Sequence, residues 1–235
     1  MKLVAGHQPN LYPYGGFFSK MAKVDEFVIV DNTQYVKKQY HNRNRIKLLN
    51  GDTVWLSIPV KNSGRYKQLI NEVEIDNAQD WRQKHKNTLL RNYKKSPFFD
   101  KYYPGFEELL SKEWIRLFDF NFEFIKLSAE YIGIETPLLV ASEIGAQGKA
   151  SGLILDICRK TGGDAYLHGK HANDYVDFDL LKDAGIENYL QNFESEQYFQ
   201  HGKNFVPNLS VLDILFNCGE ETLVVLDDST EISAR

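Results

Sequence analysis

Cysteine is scarce in this chain of 235 residues. The two present, Cys158 and Cys218, can build neither a disulfide framework nor a four-cysteine metal site, and they fit a reducing compartment. No apolar run approaches the roughly 18 residues that suggest a membrane span, so stable membrane insertion is not expected. The start of the chain carries no basic segment followed by a long apolar one, so no signal peptide is expected either, and the chain is placed in the cytoplasm. An excess of positive charge is also missing. The net charge of −4 argues against DNA or general nucleic-acid binding, which needs a basic footprint, so any phosphate must be met by local cations. Repeats and low-complexity segments are absent. What remains is 43% hydrophobic and 13% aromatic, enough to bury a large core.

The densest group of non-interchangeable residues is His7-Gln8-Pro9-Asn10-Leu11-Tyr12-Pro13-Tyr14-Gly15-Gly16-Phe17-Phe18-Ser19-Lys20. Leu3-Val4-Ala5 before it is short enough only for a buried strand, and Phe17, Phe18, Met21 and Val24 after it recur at helical spacing. His7 and Asn10 therefore fall on a strand-to-helix turn, the place where open α/β sheets bind ligands. Pro9 and Pro13 stiffen the turn, while Gly15 and Gly16 permit positive φ or a close approach. A second apolar strand, Glu26 to Val30, delivers Asp31 and Gln34 to the next loop. If the two strands are parallel, all four polar residues can converge at one sheet edge. The competing use of such residues is helix capping and turn formation.

Residues 40–48 and 53–60 alternate as a hairpin. A three-residue loop with left-handed Gly51 pairs Ile46 with Val54 and Arg45 with Trp55, which keeps the apolar residues facing one another. Arg43, Arg45, Lys47 and His41 then share a face, alternate residues standing about 6.6 Å apart, a spacing suited to a diphosphate. The Arg45 guanidinium can lie on Trp55. The alternative for this face is simple solvation. Residues 78–132 read as an aromatic-rich helical insertion, with Trp81, His85, Leu89 and Tyr93 on one stripe and Trp114, Phe118, Phe122, Ile125 and Ala129 on another. Pro104 and Gly105 are expected to break or bend its second helix.

From Pro137 the α/β rhythm resumes, with strands at Leu138–Val140, Ala165–Leu167 and Asn188–Leu190 and a helix from Ala150 to Thr161 carrying Cys158 on its core stripe. His168 and His171 follow a strand and, with His7, raise the alternative of a three-histidine zinc site and a zinc-dependent hydrolase. Ser210 with Asp213 looks like a helix start, and the polar residues after Leu226 are expected to fray. The expected fold class is α/β, a mainly parallel, Rossmann-like sheet flanked by helices, in one domain over residues 1–235 with a hairpin and the helical insertion.

Taken with Asp31-Asn32-Thr33-Gln34, Asn42 to Lys47, Tyr93 to Phe99, Gly163 to Gly169, Tyr198-Phe199-Gln200 and Leu209 to Gly219, the His7–Lys20 stretch resembles the WbqC-like proteins of bacterial polysaccharide clusters, in order and over nearly the whole chain. The sequence departs from that pattern at His168, where a small residue is expected, and at Tyr14, where Trp is common. The resemblance implies a transferase of O-antigen biosynthesis that attaches an aminoacyl group, glycyl by expectation, to the amino group of a nucleotide-activated or lipid-linked amino sugar. On that reading His7, Asn10, Asp31 and Gln34 are the catalytic candidates: His7 as general base or phosphate ligand, Asn10 and Gln34 as orienting or oxyanion donors, Asp31 as partner of the amine or of His7. Tyr12, Lys20, Arg43, Arg45, Trp55, His168 and Tyr198 are the substrate-binding candidates. The competing class is a non-catalytic nucleotide-sugar-binding protein. A His-x-x-Asn turn also resembles the first motif of class I synthetase and nucleotidyltransferase folds. A second motif is missing, Gly148-Lys149-Ala150-Ser151 being too loose, so ATP with magnesium for acyl activation and a separate activated aminoacyl donor both stay open.

Overall fold

The computed structural model, which describes residues 1–235, is built on a six-stranded sheet. Its strands in chain order are β1 (Leu3–His7), β2 (Glu26–Ile29), β5 (Leu138–Val140), β6 (Ala165–His168), β7 (Glu187–Phe193) and β8 (Thr230–Ala234). They lie side by side as β5-β2-β1-β6-β7-β8, and every pairing is parallel except β7 with β8. The chain winds outward from β1 through β2 to β5, then crosses back to β6 and winds the other way. The direction reverses between β1 and β6, so their carboxyl ends part and leave a crevice.

The strands alternate between two cores, as a sheet covered on both faces requires. Ala5, Phe27, Ile29 and Leu167 enter the larger core with Phe17, Phe18 and Met21 of α1 (Gly15–Ala22). Val4, Val28, Val30 and Tyr166 face the smaller one with Leu153, Ile154, Ile157 and Cys158 of α5 (Ser151–Thr161). Cys158 is thus a packing residue, its thiol pushed up to about 11 by burial.

Between β2 and β5 the connection carries both predicted additions. The hairpin is β3 (Arg43–Lys47) with β4 (Thr53–Ser57), in the register that pairs Ile46 with Val54 and Arg45 with Trp55, and Gly51 turns it at φ +94°. The helical part is α2 (Trp81–Tyr93), α3 (Phe99–Ser111) and α4 (Leu117–Ile132). Trp81, His85, Leu89 and Tyr93 are buried together, as their spacing predicts. On α4, Ile125 and Ala129 of the expected stripe are buried together with Leu117, Phe120, Asn121 and Phe124, whereas Trp114, Phe118 and Phe122 lie at the rim. Pro104 does not end α3, which runs through it. At Gly105 the helices approach closely, and a Cβ there would stand 2.0 Å from the Tyr131 hydroxyl of α4, which would have to shift.

The final segment does not fray. After α6 (Phe178–Asp183), α7 (Val211–Cys218) and α8 (Thr222–Asp228), the polar tail forms β8 and covers the edge of β7. Main-chain pairing needs no apolar side chains, so the tail's composition concealed the strand. No helix is long and apolar enough to cross a membrane.

Candidate functional site

Two adjoining cavities open at the carboxyl ends of the strands. One, of about 740 Å³, sits over the β1–β6 crevice and is lined by His7, Lys20, Tyr166, His168 and Gln191 together with the first turn of α5. The other, of about 500 Å³, runs under the hairpin and is lined by Asn10, Tyr40, His41, Asn44 and Arg45. His7, Gln8, Tyr14 and Asn208 line both.

The loop after β1 is held from both sides. The buried Asn44 amide donates to the carbonyls of Leu11 and Tyr12 at 3.2 and 2.8 Å, and the buried Asn121 amide to those of Pro9 and His41 at 3.0 and 2.8 Å. Gly15 and Gly16 have ordinary negative φ; side chains added there would run into Leu226, Ile214, Phe193 and Tyr14. They serve the close packing of α1 under the site.

The hydrogen bonds fix the protonation pattern of the imidazoles. His7 Nδ1 faces the Gln8 carbonyl at 2.9 Å, so it carries the proton and leaves Nε2 as a lone pair. His41 Nε2 donates to Gln8 Oε1 at 2.9 Å, Gln8 Nε2 being engaged with Thr33 Oγ1 at 2.8 Å, and His41 Nδ1 has no partner. His168 Nε2 donates to Asn188 Oδ1 at 2.8 Å, the Asn188 amide nitrogen being committed to the Ile186 carbonyl, and His168 Nδ1 is buried without a partner. Each ring is therefore neutral with one open acceptor. Burial, reinforced by the Lys20 ammonium and then His41, and opposed by the Gln8 bond, lowers His7 to about 3. Burial likewise lowers His41 and His168 to about 4, the Lys20 charge adding to the effect at His168 against its Asn188 bond.

Lys20 is 5% exposed, and burial lowers its ammonium to about 8. It donates to the Gly6 carbonyl at 3.2 Å and forms no ion pair. No aspartate or glutamate lines either cavity, although the chain as a whole is acidic. Lys170 is paired with Glu194 at 3.3 Å, which leaves Lys20 and Arg45 as the cations of the cleft without a carboxylate partner, an arrangement that favours anionic ligands.

The structure brings His7, Asn10, Lys20, Arg45 and His168 to this cleft and places the other candidates elsewhere. Asp31 is fully buried and accepts from the Ser142 amide at 2.9 Å, the Ser142 hydroxyl at 2.6 Å and Asn71 Nδ2 at 2.9 Å. It ties the ends of β2 and β5 to the following turn and has no partner at His7. We expect Asp31→Ala to cost about 3 kcal/mol, because three donors lose a charged acceptor. A lowered urea midpoint at unchanged slope checks this, and an unchanged midpoint refutes it. Gln34 is exposed and donates to the Tyr66 carbonyl at 3.3 Å. Tyr12, at φ +46°, drives its ring into the helical core and donates to His85 Nδ1 at 2.8 Å. Tyr198 donates to Asp213 Oδ1 at 2.8 Å in a network with Tyr93 and lines neither cavity.

The expected cation stripe also divides. Arg45 lies over Trp55 as expected, at 5.9 Å from the ring centroid, but Arg43 lies closer, at 4.3 Å, and donates to the Lys38 carbonyl. Lys47 is buried near Asp213. Trp55 is 40% exposed on the outer face, beside Tyr40. His171 turns outward to Asp174 at 3.6 Å while His168 turns inward, and no three His, Cys, Asp or Glu side chains are grouped to hold a metal.

Gln191 escaped the sequence reading. Buried in β7, it donates to the Gly16 carbonyl at 3.1 Å and to Ser19 Oγ at 3.2 Å under the cavity floor. Asn208 also escaped; it is exposed at φ +56° between the two cavities, and the Pro207-Asn208 turn signal was its only trace.

The sequence model of the WbqC-like protein family matches residues 8–225. The chain is 34% identical over 224 residues to "Uncharacterized protein Rv1507c" of Mycobacterium tuberculosis, covering 94% of this chain and 96% of that one. No solved structure matches the chain.

Proposed function

The chain belongs to the WbqC-like protein family, and from that premise we propose that its cleft binds a nucleotide-linked amino sugar and transfers an aminoacyl group, glycyl by the resemblance, onto the sugar's amino group. The observation that carries this reading is the carboxylate-free lining, cationic at Lys20 and Arg45, with the open His7 Nε2 lone pair where its two cavities join. In the transfer the amine nitrogen attacks the acyl carbonyl, the new C–N bond forms, and the bond from the carbonyl carbon to the donor's oxygen or sulfur breaks. His7 Nε2 takes the proton from the attacking nitrogen and returns it to the departing atom. Asn10 stands beside His7 in the smaller cavity as the side-chain donor for the oxyanion.

Magnesium held by a protein is usually bound through one or two carboxylates together with substrate phosphates. The cleft lining supplies no carboxylate, so its residues do not fit Mg-ATP, which favours a donor that arrives already activated. The low basicity of His7 favours a second reading, a binding protein for nucleotide sugars that needs no proton acceptor. One assay separates them. A nucleotide-linked 4-amino-4,6-dideoxy sugar is offered with glycine plus ATP, glycyl-tRNA or a carrier-bound glycyl thioester, and the products are weighed by mass spectrometry. The expected result is the glycyl mass increment with an activated donor. Tight binding without product from any donor replaces the transferase by the binding protein.

A further inference from the structure

Resting on the reading of the cleft as an anion site, we propose that the larger cavity contains a dedicated phosphate subsite, made by the first turn of α5 and the Lys20 ammonium, with His168 beside it as acceptor for a ligand hydroxyl. Its substrate class is accordingly a phosphorylated sugar, held by phosphate and hydroxyl together.

Helix α5 has 11 residues and enters the cavity lining through Ala150, Leu153 and Ile154. Its amino end has no side-chain cap and no acidic residue in the first turn. The Ser151 hydroxyl is spent on the Asp177 amide at 2.7 Å. Among the amides entering the helix, Gly152 and Leu153 point to main-chain carbonyls, whereas those of Ala150 and Ser151 have no acceptor in the protein. Open amides and the positive end of the helix dipole both favour an anion.

Two side chains point independently to a ligand in the same cavity. Lys20 reaches its lining from the opposite face of the sheet, 95% buried and without a carboxylate. An unpaired ammonium is costly to bury, and a phosphate oxygen offsets that cost. His168 is 2% exposed, and its Nδ1 is a buried lone pair that no protein donor meets. That nitrogen can only accept while the ring stays neutral, so it selects a hydroxyl and not a bare phosphate oxygen. Of the two arginines beside Trp55, only Arg45 lines a cavity, the smaller one, while Arg43 donates to the Lys38 carbonyl.

The test titrates inorganic pyrophosphate into the ¹⁵N-labelled protein. The expected result is saturable shifts at the amides of Ala150, Ser151 and Gly152. Two variants separate a binding role from a structural one. Lys20→Met keeps the length of a buried side chain and should weaken pyrophosphate at least tenfold. Gly152→Asp places a carboxylate where no atom lies within 4 Å of the new Cβ, so it should fold, with an equal or higher melting temperature, and still weaken binding at least tenfold. Shifts confined to the surroundings of Arg45, or unchanged affinity in both folded variants, overturn the subsite while leaving the anion cleft intact. No shift anywhere in the cleft overturns both.

Discussion

Replacing His7 by Gln is expected to lower turnover by about 10²–10⁴, the usual contribution of a positioned acid or base, equivalent to about 3–5 kcal/mol of transition-state stabilisation. Glutamine can keep the donor bond to the Gln8 carbonyl and fill much of the ring's volume, but its remaining group cannot accept and return a proton. The Michaelis constant for the nucleotide sugar should change little. A phosphate ligand at the same position would behave the other way, raising the Michaelis constant and sparing turnover. The pH profile adds a second check. His7 is lowered to about 3 first by burial and next by Lys20, so the free protein should show no histidine limb in kcat/KM between pH 5 and 8. An anionic ligand that neutralises Lys20 removes part of the cause, and the limb in kcat should sit at higher pH than the limb in kcat/KM. Turnover within threefold of the wild type in a folded His7→Gln protein would end the case for a base.

The sheet was legible because its signals are local. Alternation of apolar runs with amphipathic helices announces parallel strands, and Ile46 opposite Val54 fixed the hairpin register, since a one-residue slip would turn the apolar face outward. The crevice was legible from His7 and His168, each at the carboxyl end of a strand. What sequence pattern could not supply was the partner of each polar side chain. Asp31 reads the same whether it meets a substrate amine or Ser142 and Asn71, which lie far along the chain. Tyr12 sits within the richest motif yet turns away from the cleft, because a positive φ rotates it into the pocket beside His85 and Phe124. Arg43, Arg45 and Lys47 alternate perfectly, and packing still sends one onto an indole, one to a cavity and one into the core.

Acid is expected to unfold this protein well before its carboxylates are titrated. His41, His85 and His168 are at most 2% exposed, and burial lowers all three to about 4, His85 despite its bond to the Ser57 carbonyl, while burial and the Lys20 charge lower His7 to about 3. Their unfolded value is about 6.5. A folded value below the unfolded one contributes stability that is complete above pH 6.5 and is lost as pH falls toward 4. At pH 5 each ring has forfeited about 2 kcal/mol, and the four together about 8 kcal/mol, against a typical total of about 5–15 kcal/mol. Lys20, lowered to about 8, is protonated in both states throughout this window and adds no slope. Asp213 is raised, chiefly by burial and against its bonds to Tyr93 and Tyr198, so its linkage has the opposite sign and returns some stability on acidification, but only nearer the carboxylate range. Urea unfolding at pH 7.5, 6 and 5 should therefore show stability falling by roughly 1.3 kcal/mol per pH unit for each buried ring once pH is below 6. His85→Gln should remove about one quarter of that slope, whatever it does to stability at pH 7.5. Stability that holds constant from pH 7.5 to 5 would mean that the four rings are open to protons in the folded state, and the fixed lone pairs assigned to His7, His41 and His168 would fall with that result.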